Sequence, residues 1–397
     1  MDEQEKLIFF QRLYRDFAPD ADASRKMAEH YLVEPSIEHL AKLHAATEPR
    51  RRRLIIRLNQ APDATLQLIR MRSDLLKLSS SHLELKEVDR DFAKLFASWF
   101  NGGFLQLERL GWSSPAAILE NIIKYEAVHG MADWRDLRAR LDPPDRKIYG
   151  FFHPRLGHEP LIFIEVALMA AMPTNIQDVL TDERQRLRPS EATTAVFYSI
   201  SNCQYGLRGV PLGSFLIKRV VEDLRSIFPH LSKFVTLSPV PGFSDWLRGW
   251  IDDVNECVSP ETRQRVSDSL ALLQDPASAS DNTTKREVRD LHASAVGHYL
   301  TNVKSDDGLP RDPVARFHLG NGARLEQINW PADISPKGMA KSFGVMVNYL
   351  YDLDEVERYH ENLATHRKIA VSNRVLRDIG KTSFFAGPAP DTFSEAS

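Results

Sequence analysis

Phe197-Tyr198-Ser199-Ile200-Ser201-Asn202-Cys203-Gln204-Tyr205-Gly206-Leu207-Arg208-Gly209-Val210-Pro211-Leu212-Gly213-Ser214-Phe215-Leu216-Ile217-Lys218-Arg219 is the stretch that decides the fold. Its opening residues, with Ala195 and Val196 before them, are β-branched and aromatic and read as a strand. Glycines at 206, 209 and 213 then make a turn, and residues 212–228 have the apolar spacing of an amphipathic helix. A strand that runs through a glycine-bearing turn into a helix belongs to an α/β or α+β domain. The turn also has a chemical reading. The first N–H groups of a helix lack partners and carry partial positive charge, glycines let a ligand approach the backbone, and Lys218 or Arg219 adds charge, so a phosphate fits there. The plainer reading is a β–α turn whose glycines serve conformation only.

Outward from this stretch the strand texture continues. Residues 147–152, 161–168, 233–238 and 343–351 read as strands, and helical patterns fill 245–275 and 286–301. Segment 276–286, which begins Pro276-Ala277-Ser278-Ala279-Ser280, reads as a polar surface connection. The sheet is expected to be mixed rather than wholly parallel. Upstream, the texture is helical. Leu7, Phe10, Leu13, Tyr14 and Phe17 share one face, and Pro35-Ser36-Ile37-Glu38 looks like a helix start. Leu66, Ile69, Leu75 and Leu76 mark another stripe, and 84–100 a further one with Val88, Phe92, Leu95, Phe96 and Trp99. Asn101-Gly102-Gly103 is the candidate hinge. At 397 residues and 45.2 kDa the chain exceeds one ordinary core. The expected division is an all-α helical bundle over 1–100 and an α/β (α+β) domain over 101–397.

Fifty-one basic against 54 acidic residues leave a net charge of −3, which argues against commitment to nucleic acid. With 43% hydrophobic and 26% charged residues, wholesale disorder is excluded. The longest apolar stretch, 161–172, is interrupted by Glu165 and is too short to span a bilayer, so no membrane partner is expected. Met1-Asp2-Glu3-Gln4-Glu5 is acidic where a secretory or mitochondrial presequence is basic. Two cysteines, Cys203 and Cys257, allow neither a disulfide framework nor a four-cysteine zinc site. A cytoplasmic location is expected.

Two further segments carry candidate chemistry. In Thr236-Leu237-Ser238-Pro239-Val240-Pro241-Gly242-Phe243, the proline pushes Ser238 to extended geometry and holds its hydroxyl at a strand end with a stiff loop behind it. The alternative is a serine making a local turn or capping bond. In Asp312-Pro313-Val314-Ala315-Arg316-Phe317-His318-Leu319-Gly320-Asn321-Gly322-Ala323, Asp312 and Pro313 read as an N-cap and first helical position, with Gly320 or Gly322 as the end. His318 then lies in the last turn, where the helix dipole favours the imidazolium and a proton-donor role; otherwise it is one more structural histidine among thirteen. His153 and His158 are read as loop residues between strands, because no third metal ligand is indicated. The zinc-protease helix, the nucleophile elbow and the Walker A loop are missing, and Gly320-Asn321-Gly322-Ala323-Arg324-Leu325 has only two of the three glycines of a dinucleotide fingerprint. No Met-Lys pair has the setting of a biotin attachment site. The expected chemistry uses no organic cofactor and no metal.

Taken together, these segments resemble the malonyl-CoA decarboxylase family. The matching stretches are Glu159-Pro160-Leu161 with Val166-Ala167-Leu168, residues 197–224, Leu237-Ser238-Pro239-Val240-Pro241-Gly242-Phe243, and Phe317-His318-Leu319 with Asn321-Gly322-Ala323. Ile328-Asn329-Trp330 with Ala332-Asp333, and Asn348-Tyr349-Leu350-Tyr351, extend the match. The resemblance implies a helical N-terminal domain and a catalytic domain similar to the GNAT acetyltransferase fold, converting malonyl-CoA to acetyl-CoA and carbon dioxide without a cofactor. It implies that Arg208, Gly209, Val210, Pro211, Leu212, Gly213 and Ser214 form the CoA pyrophosphate loop. It also implies that Ser238 and His318 orient the malonyl group and protonate the enolate, that Tyr351 belongs to the active site, and that the chain forms a homo-oligomer, a tetramer in the family. Pro211 departs from the pattern, since animal members carry glutamate there and acetyltransferase loops favour glycine; a proline has no N–H to offer a phosphate. An acyl-CoA N-acyltransferase, which needs an amine acceptor, and a non-catalytic CoA-binding regulatory protein are the alternative functions.

Overall fold

The computed structural model describes residues 2–181, 183–184, 186–210, 215–252, 260–274, 282–382, 385 and 392–393. Six helices come first: α1 (Glu3–Asp16), α2 (Ala21–Val33), α3 (Ile37–Thr47), α4 (Arg50–Leu58), α5 (Ala64–Leu78) and α6 (Leu85–Trp99). Side chains that take up free N–H groups set several starts. Asp2 and Glu5 form a reciprocal box at α1, and Asp20 and Ser36 cap α2 and α3. The apolar faces of α1, α4, α5 and α6 meet through Phe10, Leu13, Ile55, Leu68, Leu75, Phe92 and Phe96. Helices α2 and α3 bury no residue and pack on each other. Their Leu32, Val33 and Ile37 stay 78%, 87% and 89% exposed.

After a short 3-10 turn capped by Asn101, the chain runs through β1 (Gln106–Leu110), α7 (Ala116–Tyr125), α8 (Trp134–Leu141), β2 (Arg146–Phe152), β3 (Pro160–Met169), α9 (Gln177–Leu180) and β4 (Thr194–Asn202). Then come α10 (Phe215–Ile227), β5 (Lys233–Thr236), β6 (Ser238–Pro239), α11 (Phe243–Asp252), α12 (Pro260–Gln274), α13 (Asn282–Thr301) and α14 (Pro313–Gly320). The last are β7 (Arg324–Asn329), α15 (Pro336–Ser342), β8 (Met346–Leu350), α16 (Val356–His366), β9 (Ile369–Ala370), α17 (Asn373–Ile379) and β10 (Thr392–Phe393).

Strands β1 to β8 form one mixed sheet, as expected. β1 to β4 are antiparallel neighbours in chain order. The connection through α10 then lays β5 parallel to β4, with Thr194 opposite Lys233 and Phe197 opposite Thr236. β8 pairs antiparallel with β5, β6 and β7. One side of β3 (Ile162, Ile164, Val166, Leu168) faces the largest apolar cluster, which runs without break from Phe10 and Phe96 to Phe151, Phe197 and Tyr349. Phe163, on the other side, joins Ile118, Ile122 and Leu137 of α7 and α8.

The strands expected at 147–152, 161–168, 195–200 and 343–351 are β2, β3, β4 and β8, displaced by no more than three residues at either end. The strand expected at 233–238 is two, because the ladder with β4 ends at Thr236 while pairing with β8, begun at Val235, resumes at Ser238 and Pro239. The helix expected over 245–275 is α11 and α12, with 253–259 outside the described residues. Of the connection expected at 276–286, residues 276–281 lie outside the described residues, and 282–286 correct that reading because they begin α13. Polar Asn-Thr-Thr runs suit a first helical turn as well as a loop.

Candidate active site

Adjacent parallel strands leave a crevice at their carboxyl ends. Here β4 continues to Asn202 after its ladder with β5 has stopped, the last bond running from the Leu237 N–H to the Phe197 carbonyl. Ser238, the first residue of β6, stands at that opening and is 5% exposed. Its Oγ donates to Thr236 Oγ1 at 2.8 Å and lies 3.1 Å from His318 Nε2. Thr236 Oγ1 also accepts the Tyr349 N–H at 3.2 Å.

Helix α14 delivers the histidine. Asp312 caps it as expected, Oδ1 accepting the N–H groups of Val314 and Ala315 at 2.9 Å each, and Pro313 is the first helical residue. The helix ends at Gly320, and Gly322 turns the chain into β7 at φ +78°. A Cβ on Gly322 would sit 2.1 Å from the Val356 carbonyl oxygen, so only glycine fits. His318 Nδ1 is 2.8 Å from the Tyr351 hydroxyl, just past β8, and the Tyr349 ring stacks on the imidazole at 4.7 Å and 26°. Because the Ser238 proton goes to Thr236, the proton of the 3.1 Å contact comes from Nε2, and Nδ1 accepts from Tyr351. The hydrogen bonds then run one way, from Tyr351 through His318 and Ser238 to Thr236.

Burial opposes the imidazolium expected from the helix dipole. His318 is fully buried, and loss of solvent pushes its pKa down to about 3. A dipole is worth up to ~2 kcal/mol, whereas each pKa unit is about 1.4 kcal/mol. Of the two, burial is the larger, and it favours the neutral ring. Burial likewise raises the Tyr351 phenol well above its ordinary range.

Of the turn between β4 and α10, residues 203–210 are described. Arg208 is exposed and leans over the Tyr205 ring at 6.0 Å, Gly209 adopts φ +75°, and Val210 is buried. Pro211, Leu212, Gly213 and Ser214 lie outside the described residues. Arg219 donates to the Leu105 carbonyl at 2.6 Å. Lys218 lines a cavity of about 270 Å³ between α10 and α16, with Val221, Arg225, Asn321 and Tyr351 also on its wall. Tyr351 thus has His318 on one side and this cavity on the other. His153 packs against the Phe100 ring, and His158 lies in the loop between β2 and β3, as read. Among the described residues no three His, Cys, Asp or Glu side chains gather as a metal site, and no helix is long and apolar enough to cross a membrane. Thr236 and Tyr349 were not singled out in the sequence. The two-residue alternation of a strand was the available signal, since it puts Thr236 on the face of Ser238 and Tyr349 on that of Tyr351.

A helical N-terminal part packed on a mixed α/β sheet, with Ser238, His318 and Tyr351 joined by hydrogen bonds in its interior, is the build of a two-part α/β protein. Residues 17–100 match the family model for the malonyl-CoA decarboxylase N-terminal domain, and residues 103–384 match that for the C-terminal domain. The chain belongs to the malonyl-CoA decarboxylase family, a family of carboxy-lyases. It is 35% identical over 361 residues to the mitochondrial malonyl-CoA decarboxylase of Rattus norvegicus, covering 84% of this chain and 72% of that one. With the mitochondrial enzyme of Anser anser anser it shares 37% over 350 residues, 83% and 69% of the two chains. The crystal structure of malonyl-CoA decarboxylase from Rhodopseudomonas palustris superposes with TM-score 0.88 at 47% identity, over 95% of this chain and 91% of that one. The structure from Agrobacterium vitis does so with TM-score 0.87, also at 47%, over 96% and 92%.

Proposed function

We propose that this chain decarboxylates malonyl-CoA to acetyl-CoA and carbon dioxide, with Ser238, His318 and Tyr351 as the working residues. Support comes from the 3.1 Å contact of Ser238 Oγ with His318 Nε2, made across 80 residues of sequence in a chain of this family. Loss of carbon dioxide from a malonyl thioester leaves an electron pair that the thioester carbonyl takes up as an enolate. The protein must orient the carboxylate and return one proton to carbon. The Ser238 hydroxyl, turned from Thr236 to the malonyl group, donates to it and then protonates the enolate carbon. His318 restores the serine from Nε2 while Tyr351 hands a proton to Nδ1. Once the product leaves, water entering the emptied site returns a proton to Nε2, and the Nδ1 proton goes back to the Tyr351 oxygen. The net proton thus comes from solvent, and the starting tautomer is restored. None of these steps calls on a cofactor or a metal.

Residues 208–214 are the proposed seat of the CoA pyrophosphate, supported by Gly209 at positive φ and by the helix that follows. The exposed Leu32, Val33, Ile37 and Leu40 of α2 and α3 support a homo-oligomer, a tetramer by family resemblance. A reducing compartment such as the cytoplasm suits Cys203, a buried free thiol. Neither nucleic acid nor a membrane is a proposed partner. The test is incubation of the purified protein with malonyl-CoA. Carbon dioxide and acetyl-CoA released in equal amounts are expected. Acyl transfer only on adding an amine would make the chain an N-acyltransferase, and an intact thioester would make it a binding protein.

A further inference from the structure

We infer that Arg72, in the helical part, is a positioning residue for the substrate turn, an inference that rests on the reading of residues 208–214 as the pyrophosphate seat. Arg72 lies on α5, is 2% exposed, and reaches the other half of the molecule. Its Nε donates to Asp89 Oδ1 at 2.8 Å, and its guanidinium lies 5.9 Å from the centre of the Phe96 ring. Its Nη1 donates to two backbone carbonyls, Gly206 at 2.7 Å and Arg208 at 3.0 Å. Those carbonyls belong to the short 3-10 turn Tyr205–Leu207 and the residue that closes it, on the chain's way from β4 to α10. The turn lies flush on α5, because a Cβ on Gly206 would stand 1.9 Å from the Ile69 carbonyl oxygen.

A planar fork serves a carboxylate on one edge and two carbonyls on another, which a lysine ammonium cannot do from one point. The charge of Arg72 is already met by Asp89, so its hold on the carbonyls is directional. In a trans peptide the N–H lies opposite the carbonyl. With the Arg208 carbonyl held toward α5, the Gly209 N–H is aimed away from it, at the start of the proposed phosphate seat. Arg72 touches no reacting atom. It acts on where the nucleotide end of the substrate lies, and the chemistry at Ser238 and His318 proceeds without it.

The test compares malonyl-CoA with malonyl-pantetheine, a thioester that has no pyrophosphate, in Arg72→Lys and, from the loop side, Gly206→Ala. In both variants the KM for malonyl-CoA should rise on the order of tenfold, the effect of losing a charge-assisted hydrogen bond, with kcat near wild type. Their kcat/KM for malonyl-pantetheine should match wild type, which also shows that the variants fold. An unchanged KM for malonyl-CoA, or an equal loss on both substrates, would overturn the inference. Gly213→Asp separates it from the reading beneath. That variant puts an anion beside the phosphates and should raise the same KM. If it does so while Arg72→Lys does not, Arg72 has no such role; if it does not, the pyrophosphate seat itself is wrong and Arg72 loses its role with it.

Discussion

A histidine in the last turn of a buried helix is pulled two ways, toward its cation by the dipole and toward neutrality by the loss of water. In His318 the second pull prevails, and this changes the pH behaviour to be expected. A pKa pushed down to about 3 favours the neutral ring across ordinary assay conditions. Wild-type turnover should therefore show no limb from His318 between pH ~5 and ~8, a range in which an ordinary histidine near ~6.5 would titrate. His318→Asn breaks the relay and should lower kcat on the order of 100-fold or more, with KM near wild type. A pH–rate profile with a wild-type inflection near 6.5 that the variant loses would restore the imidazolium donor. Ser238→Ala cuts the same relay one link on, and its barrier should rise by roughly 1.5–3 kcal/mol if the hydroxyl bonds a charged group. Steady-state turnover of a folded variant reads it directly. The positions of Ser238 and His318 were legible in sequence because proline and an N-cap pattern announce a strand end and a helix start. The ionisation of His318 was not, since it depends on Tyr349 and Tyr351, which come more than thirty residues later.

Element boundaries tell a similar story about where polarity goes. β7 reads Arg-Leu-Glu-Gln-Ile-Asn, polar enough to pass for surface, yet all but one of its residues are buried. The amides pair with one another instead of water. Arg374 donates to Gln327 at 2.7 Å, Gln327 to Asn329, Asn329 to Asn348 at 2.6 Å, and Asn348 to the Thr236 carbonyl at 2.8 Å. A satisfied buried chain like this costs little, but no periodicity reveals it. β1 escaped for the opposite reason: it is an edge strand whose Glu108 and Arg109 face solvent. β2, β3 and β4, central and apolar, were legible because central strands must be. The turn from α14 into β7 is where one residue type decides an element's position. Gly322→Ala should lower stability by more than ~1 kcal/mol, from left-handed backbone and the clash with Val356. Turnover should fall with it as α14 shifts His318. Thermal melting and kcat on the same preparation check both, and an unchanged melting temperature would show that α16 gives way at no cost.

On the scale of the whole molecule, two features govern stability. Glu165 on β3 is completely buried, and loss of solvent raises its pKa to about 8 despite Arg140 at 3.3 Å. The native state therefore holds a proton that the unfolded chain releases above its ordinary value of 4.5, so stability falls as pH rises from about 4.5 to about 8. Glu165→Gln should flatten that slope, and chemical denaturation at pH ~5 and ~8 compares the two. The second feature is the unbroken apolar cluster from Phe10 to Tyr349. Phe96→Ala empties a fully buried site in it and should cost ~3–5 kcal/mol. The loss should appear as one lowered transition by both calorimetry and near-ultraviolet dichroism, whereas a separate early melt of the first hundred residues would mean independent units. A cluster shared in this way makes the cell's view of the helices a matter of abundance. A lesion at Phe10 or Phe96 leaves each surviving molecule turning over at full speed and leaves fewer of them, because quality control removes the unfolded fraction.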